Sequence, residues 1–214
     1  MPGEVAEIAL MTEGFRLSEP SADATDQTLV AIIRRAKHGD TGAFEEIVDC
    51  YQRKVMTTAW RMLGNQEDAR DASQEVFLRA YRYLGGFKLE QDFGAWLYRI
   101  IVNVCRDHAR KRGSSQRLAS FEEEREAGTF ESLASSDDVE ANAIKSQQRA
   151  LIAEALGTLS TKERMALVLR DLEGLSTEEV AKVLGSTQTT VRSQISSARA
   201  KIKQYRDRVV KRRG

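Results

Sequence analysis

Two rows of cationic and polar side chains carry the chemistry of this chain. In Leu175–Lys203, LSTEEVAKVLGSTQTTVRSQISSARAKIK, the residues Arg192, Ser196, Arg199 and Lys203 recur at steps of four, three and four. In Phe93–Arg112, FGAWLYRIIVNVCRDHARKR, the residues Arg99, Asn103, Arg106 and Arg110 recur at the same steps, and Lys111 and Arg112 extend the row. Such spacing places each set on one helix face. Guanidinium and ammonium groups bind phosphate oxygens, and an amide can read a base edge. This is the chemistry of nucleic-acid recognition rather than of bond making. The same spacing also suits a solvated helix face, so the surrounding elements must decide.

The elements around the later row favour recognition. Ser176 and Glu179 stand in the capping-box arrangement that starts a helix. Val180, Val183 and Leu184 give it one apolar face, and Gly185 follows where a left-handed backbone ends a helix at least cost. A second helix starts near Thr187, with Val191, Ile195, Ala198 and Ile202 as its buried stripe behind the cationic row. The pattern is a helix-turn-helix whose second helix suits the DNA major groove. From Gln188 to Gly214 nine Lys and Arg face a single acid, Asp207, a net +8 that attracts phosphate.

The whole-chain net charge of +1 hides this asymmetry. Residues 1–26 carry six acids and one Arg, a net −5, and residues 113–140 carry eight acids and two Arg, a net −6. The first segment, to about residue 25, reads as a disordered acidic extension, and 113–140 as a flexible acidic linker. The run Glu122–Glu124 lacks metal-ligand spacing and reads as solvated. Cys50 and Cys105 lack C-x-x-C spacing and read as small buried apolar groups, and His38 and His108 lie far apart, so no metal and no cofactor is expected. No apolar run reaches the 18–20 or so residues that span a bilayer, and the acidic N-terminus lacks a signal-peptide pattern, so a cytoplasmic location is expected.

Between these segments the periodicity is helical throughout. Leu29, Ile32, Ile33 and Ala36 form a first stripe, broken at Gly39–Asp40, and Thr41 can cap the next helix. That helix runs to Gly64, and Asn65 caps a third helix that reaches Leu84 before Gly85–Gly86 forces a turn. A fourth spans about Phe93–Arg112. After the linker, a helix ending at Gly157 and a second capping box, Ser160 with Glu163, lead into the helix-turn-helix. The predicted fold is all-α, with two small helical domains over 26–112 and 141–214.

In this order the motifs resemble the extracytoplasmic-function class of bacterial sigma factors, group 4 of the sigma-70 family. EDARDASQEVFLRAYRYLGGF, residues 67–87, resembles family region 2.2 running into 2.3, and residues 93–112 resemble the end of 2.3 and region 2.4. LSTKERMALVLRDLEGLSTEEVAKVLGSTQTTVRSQISSARAKI, residues 159–202, resembles regions 4.1 and 4.2. The resemblance implies a sigma2-like bundle and a sigma4-like helix-turn-helix. It implies that Asp68, Asp71, Gln74, Glu75 and Phe77 dock on the clamp helices of the large β′ subunit of core RNA polymerase. Phe87, Lys88, Arg99, Asn103, Arg106, Arg110, Lys111 and Arg112 would then recognise and open the −10 promoter element. Thr189, Thr190, Arg192, Ser193, Gln194, Ser196, Ser197, Arg199 and Lys203 would read the −35 element. Family members often carry a basic residue where Gln194 and Ser197 stand, and Pro where Ser160 stands. The class also implies a stress-responsive role and an anti-sigma factor, often membrane-anchored.

The implied function is promoter-specific initiation, with promoter DNA as ligand, no small-molecule substrate and no catalysis by the chain itself. No G-x-x-x-x-G-K-[ST], H-E-x-x-H or G-x-S-x-G motif is present. The alternative is a helix-turn-helix regulator that binds an operator unaided, which would leave residues 67–112 without a role.

Overall fold

The fold begins with four helices whose apolar stripes must find partners. A computed structural model describes residues 22–118 and 150–213. Helices α1 (Ala22–Lys37), α2 (Thr41–Leu63), α3 (Gln66–Tyr83) and α4 (Phe93–Leu118) build the N-terminal domain. Residues 150–157 form α5, followed by α6 (Thr161–Leu167), a π-helical segment Val168–Leu172, α7 (Thr177–Leu184) and α8 (Gln188–Arg213). No strand occurs among the described residues. The expected extension over 1–25 and linker over 113–140 lie outside them, except at their inner ends. There, 22–25 open α1 and 113–118 close α4. A lone Gly113 costs a helix only about 1 kcal/mol against Ala, and Gln116, Arg117 and Leu118 are good helix formers, so α4 outruns the predicted stop at Arg112.

Local chemistry explains the boundaries. Asp40, not Thr41, caps α2: its side chain accepts the Ala43 N–H at 3.0 Å, and Thr41 is the first helical residue. Gly64 ends α2 in the left-handed region at φ 84°, and Asn65 caps α3 through the Asp68 N–H. The turn at Gly85–Gly86 is a short 3₁₀ turn, Leu84–Gly86. Both capping boxes form, Ser160 with Glu163 and Ser176 with Glu179, and Gly185 ends α7 at φ 62°.

The two domains share one apolar core. Ile33, Ile47, Val55, Val76 and Leu97 belong to the same buried cluster as Met165, Leu169, Val180 and Val191. Helix α4 joins them. Leu97, Ile101 and Val104 are buried, and so are Tyr98, Val102 and Cys105. Tyr98, Val102 and Arg106 lie at four-residue steps, and both ends of that row contact the C-terminal domain. Cys105 is buried and its thiol is pushed up to about 12 by desolvation. Cys50, expected to be buried, is exposed, because it lies off the stripe of Ile47, Tyr51 and Val55.

Glu163 ties the C-terminal domain together. Its carboxylate takes Lys201 Nζ at 2.7 and 2.9 Å, the Ser197 hydroxyl at 2.6 Å and the Ser160 N–H at 2.9 Å. These donors, Lys201 first, lower its pKa from the ordinary 4.5 to about 2. A carboxyl more acidic in the folded state stabilises in full above about pH 4.5, and that stabilisation fades as pH falls toward 2. Glu163→Gln is expected to cost about 1–2 kcal/mol at neutral pH and to flatten the acid limb of a Tm-against-pH curve between those values. An unchanged acid limb would remove Glu163 from the stabilising network.

Candidate nucleic-acid interface

Helix α8 is amphipathic as its spacing requires. Val191 and Ala198 are fully buried, Ile195 nearly so and Ile202 partly. Thr187 caps the helix, its Oγ1 accepting the Thr190 N–H at 3.1 Å. Thr189, Thr190, Arg192, Ser193, Ser196 and Lys203 are exposed, with Arg192 Nη2 donating to Gln188 Oε1 one turn back at 3.2 Å. This outward set carries hydroxyls for base edges and phosphates, and cations for phosphates.

Of the nine predicted readers of the −35 element, two are tied to acids of the α6 region and a third has a buried amide oxygen. Arg199 donates Nε and Nη2 to the two carboxylate oxygens of Asp171, at 2.9 and 2.7 Å, and this pair raises the pKa of the guanidinium. The hydroxyl of Ser197 donates to Glu163. The Oε1 atom of Gln194 is buried and has no hydrogen-bond partner among the described residues. Helix periodicity set these residues beside the outward row. The facing acids, Asp171 and Glu163, draw two of them back.

On α4 the predicted row divides in the same way. Arg99, Asn103, Arg110, Lys111 and Arg112 are exposed. Arg110 lies 3.6 Å from Asp107, and Arg112 donates to Asp68 Oδ2 at 3.1 Å. Arg106 is half-buried and donates Nη2 to the Leu184 carbonyl at the end of α7, at 2.9 Å. Phe87 does not line the surface. It is 3% exposed and sits edge-on to Phe93 and against Trp96, and Lys37 donates to its carbonyl. The aromatic cluster claims the ring, so Phe87 presents no face to DNA here. Neighbouring Lys88 is exposed.

Helix α3 offers a different surface. Its buried stripe is Ala69, Ala72, Val76 and Ala80. Asp71, Gln74, Leu78 and Tyr81 recur at steps of three, four and three on the outward side, all exposed, with Leu78 at 60% and Tyr81 at 50%. Glu75 is paired with Arg79 at 2.7 Å, Asp68 also caps against Asn65, and Phe77 is half-buried. Leu78 and Tyr81 were not among the sequence candidates. The signal for them is that they are apolar residues out of phase with the buried stripe. A mixed apolar and acidic helix face suits a protein partner better than DNA.

A polar socket joins the two domains. Glu173, in the turn before α7, accepts the Thr58 hydroxyl at 2.9 Å, Arg61 Nη1 at 2.9 Å and the Tyr98 hydroxyl at 2.8 Å. Burial, and then the Glu173 charge, push the Tyr98 phenol above its ordinary range, so it stays protonated and donates. Lys54 lies over the Tyr98 ring, 5.4 Å from its centroid.

Among the described residues no group of three His, Cys, Asp or Glu could hold a metal ion, and no helix is long and apolar enough to cross a membrane.

Comparison with known proteins places this geometry. Residues 47–115 match the family model for Sigma-70 region 2, and residues 149–202 that for Sigma-70 region 4. The chain is 34% identical to the RNA polymerase sigma-H factor of Pseudomonas aeruginosa, over 80% of this chain and 90% of that one. It is 36% identical to the ECF RNA polymerase sigma-E factor of Escherichia coli, over 85% and 94%. Among solved structures it resembles CnrH in complex with the cytosolic domain of CnrY, with TM-score 0.60, 28% identity and coverage of 83% and 96%. A second fold match is the sigma factor RpoE in complex with the anti-sigma factor NepR from Bartonella quintana, with TM-score 0.59, 22% identity and coverage of 77% and 96%. With region 2 preceding region 4 and relatives matched along nearly their full length, the chain belongs to the ECF sigma factors, the promoter-specificity subunits of bacterial RNA polymerase.

Proposed function

We propose that the exposed row of α4 reads and opens the −10 element, and that the outward face of α8 reads the −35 element. The observation that carries this is the pair of cation-bearing faces on two domains of one chain, each backed by a buried stripe. Lys88, Arg99, Arg110, Lys111 and Arg112 supply phosphate contacts, and Asn103 supplies the base-edge contact. On α8, Arg192 and Lys203 hold the backbone, while Thr189, Thr190, Ser193 and Ser196 face the bases. Arg199 and Ser197 hold the helix to Asp171 and Glu163. The promoter-opening domain starts near residue 26 and includes α4 to Leu118, and the −35 domain occupies 141–214.

The α3 face of Asp71, Gln74, Leu78 and Tyr81 docks on the clamp helices of the polymerase β′ subunit. The chain acts in the cytoplasm, performs no catalysis and needs no cofactor or small-molecule substrate. Bond formation belongs to the polymerase. An anti-sigma factor restrains it until a stress signal arrives. Capture of a fold relative with such a factor supports that partner.

Run-off transcription with purified core polymerase on genomic promoter fragments tests the reading. Transcripts that need this protein are expected, and tight operator binding without any such transcript would favour the regulator instead. Arg192→Ala should weaken promoter binding by the holoenzyme and reduce the slope of log K against log salt by about one. Asn103→Ala should relax −10 sequence preference at one position, by about 1–3 kcal/mol, and leave that slope unchanged. Equal loss on every promoter sequence would remove Asn103 from base reading. Leu78→Asp should weaken core binding at least tenfold while leaving the free energy of unfolding within about 1 kcal/mol of wild type, because the side chain is exposed. Wild-type affinity would place the polymerase contact elsewhere.

A further inference from the structure

The loop before α4 is tied down at its first residue, and one of the ties comes from α1. Phe87 follows the 3₁₀ turn Leu84–Gly86. Its ring stands edge-on to Phe93 at 5.4 Å and against Trp96 at 5.1 Å, and its N–H donates to the Leu84 carbonyl at 3.0 Å. These contacts fix the residue up to its Cα. The freedom that remains is ψ, which stands at 134° with the backbone extended. Lys37 Nζ donates to the Phe87 carbonyl and holds that angle. A peptide is planar, so the carbonyl of Phe87 and the N–H of Lys88 turn together. Fixing one end of the plane sets the direction in which Lys88 leaves the fold.

Lys37 is half-buried in the last turn of α1. Nearby Arg35 takes the acids Asp40 and Glu46, whereas Lys37 pairs with no acid among the described residues. A lysine at a helix end is already well placed by the helix dipole, in water. This one reaches instead across 50 positions to a backbone carbonyl. Ordering its long side chain costs entropy that a solvated lysine keeps, so the contact calls for an explanation. Leu29, Ile33 and Lys37 stand at four-residue steps along α1, and the first two line the same cleft as Phe87 and Phe93. Helix α1 therefore lies along the foot of the loop, with apolar side chains toward the rings and an ammonium on the backbone. Beyond that tie Lys88, Glu90, Gln91 and Asp92 are exposed, and the Gln91 N–H closes a turn onto the Lys88 carbonyl at 3.0 Å.

We propose that Lys37 is a positioning residue for promoter recognition: through the Phe87 carbonyl it aims Lys88, and the turn that follows, at the DNA backbone, without touching DNA itself. Gly85 and Gly86, just upstream, carry no side chain that could brace the chain, so the aim has to come from outside the loop. The DNA part rests on the assignment of Lys88 to a phosphate contact above. The hold of Lys37 on the loop does not.

A double-substitution cycle in the holoenzyme tests it, read as promoter affinity against salt. Lys37→Met keeps the methylene stem and removes the donor. It should weaken promoter binding about fivefold and lower the slope of log K against log salt by about one, as Lys88→Met should. In the Lys88→Met background, Lys37→Met should cost less than about twofold and leave the slope where it is, because the residue it aims is gone. Lys37→Arg, which can donate to the same carbonyl, should restore affinity to within about twofold of wild type. Arg34→Met removes an exposed charge from the same helix end and controls for net charge. A loss of equal size with and without Lys88, or one matched by Arg34→Met, overturns the proposal, since Lys37 would then meet DNA itself or act by charge alone. Amide exchange in the free full-length chain separates this result from the promoter reading. The Gln91 amide should exchange about fivefold faster in Lys37→Met and at the wild-type rate in Lys37→Arg. Unchanged exchange in Lys37→Met overturns the hold on the loop. If Lys88→Met leaves affinity and slope unchanged, the phosphate assignment of Lys88 falls and the DNA part of the proposal with it, while faster exchange would still establish the hold.

Discussion

The burial of α4 is the constraint on which the rest of this molecule depends. One side of the helix, with Phe93, Leu97, Ile101 and Val104, closes the N-terminal bundle. A second, with Tyr98, Val102 and Arg106, meets the C-terminal domain. What remains outside is a narrow strip, and Arg99, Asn103 and Arg110 occupy it. A helix pinned on two sides presents its third side rigidly, and a rigid row of donors recognises a base edge better than one on a mobile loop. The apolar core thus does more than stabilise. It aims the cations.

Carboxylates perform the second sorting. Arg, Lys and Ser residues on α8 outnumber those that can face a groove at once, and Asp171 and Glu163 divide them. Asp171 takes Arg199 in a bidentate pair, and Glu163 takes Lys201 and Ser197. Both acids lie at or just before the helix-turn-helix, and both join α8 to the α6 region rather than to α7. The recognition helix is therefore held by charge along the edges of its buried stripe, and the outward set is smaller than its composition suggests. A net +8 over its length overstates the number of phosphate contacts it can make, because part of that charge is paired with acids of the same domain.

Much of this was legible in the sequence. Ser160 with Glu163, Ser176 with Glu179, Asn65, Gly64 and Gly185 announced their caps, because capping chemistry is local and uses few residue types. The buried stripe of α8 followed from period alone. The Glu173 socket did not, since its members stand 75 to 115 positions away, a separation at which no periodicity speaks. Its trace was nevertheless present in α4. From Trp96 to Cys105 only Arg99 and Asn103 interrupt an otherwise apolar run with one phenol, and a helix apolar on nearly every side is covered on more than one. The exposed Leu78 and Tyr81 on α3 are the converse, large side chains left outside the packed stripe of their helix.

The domain contact holds one member of the α4 row, Arg106, on the Leu184 carbonyl. Affinity of a chain that binds only when open falls by the fraction that is open, so a closed state favoured by about 2 kcal/mol lowers free-protein binding roughly thirtyfold. Docking α3 on a large partner leaves that penalty in place unless the partner also separates the domains. Once it does, two modest contacts on one tether act at high effective concentration, and their combined affinity can exceed either alone by about 10²–10⁴.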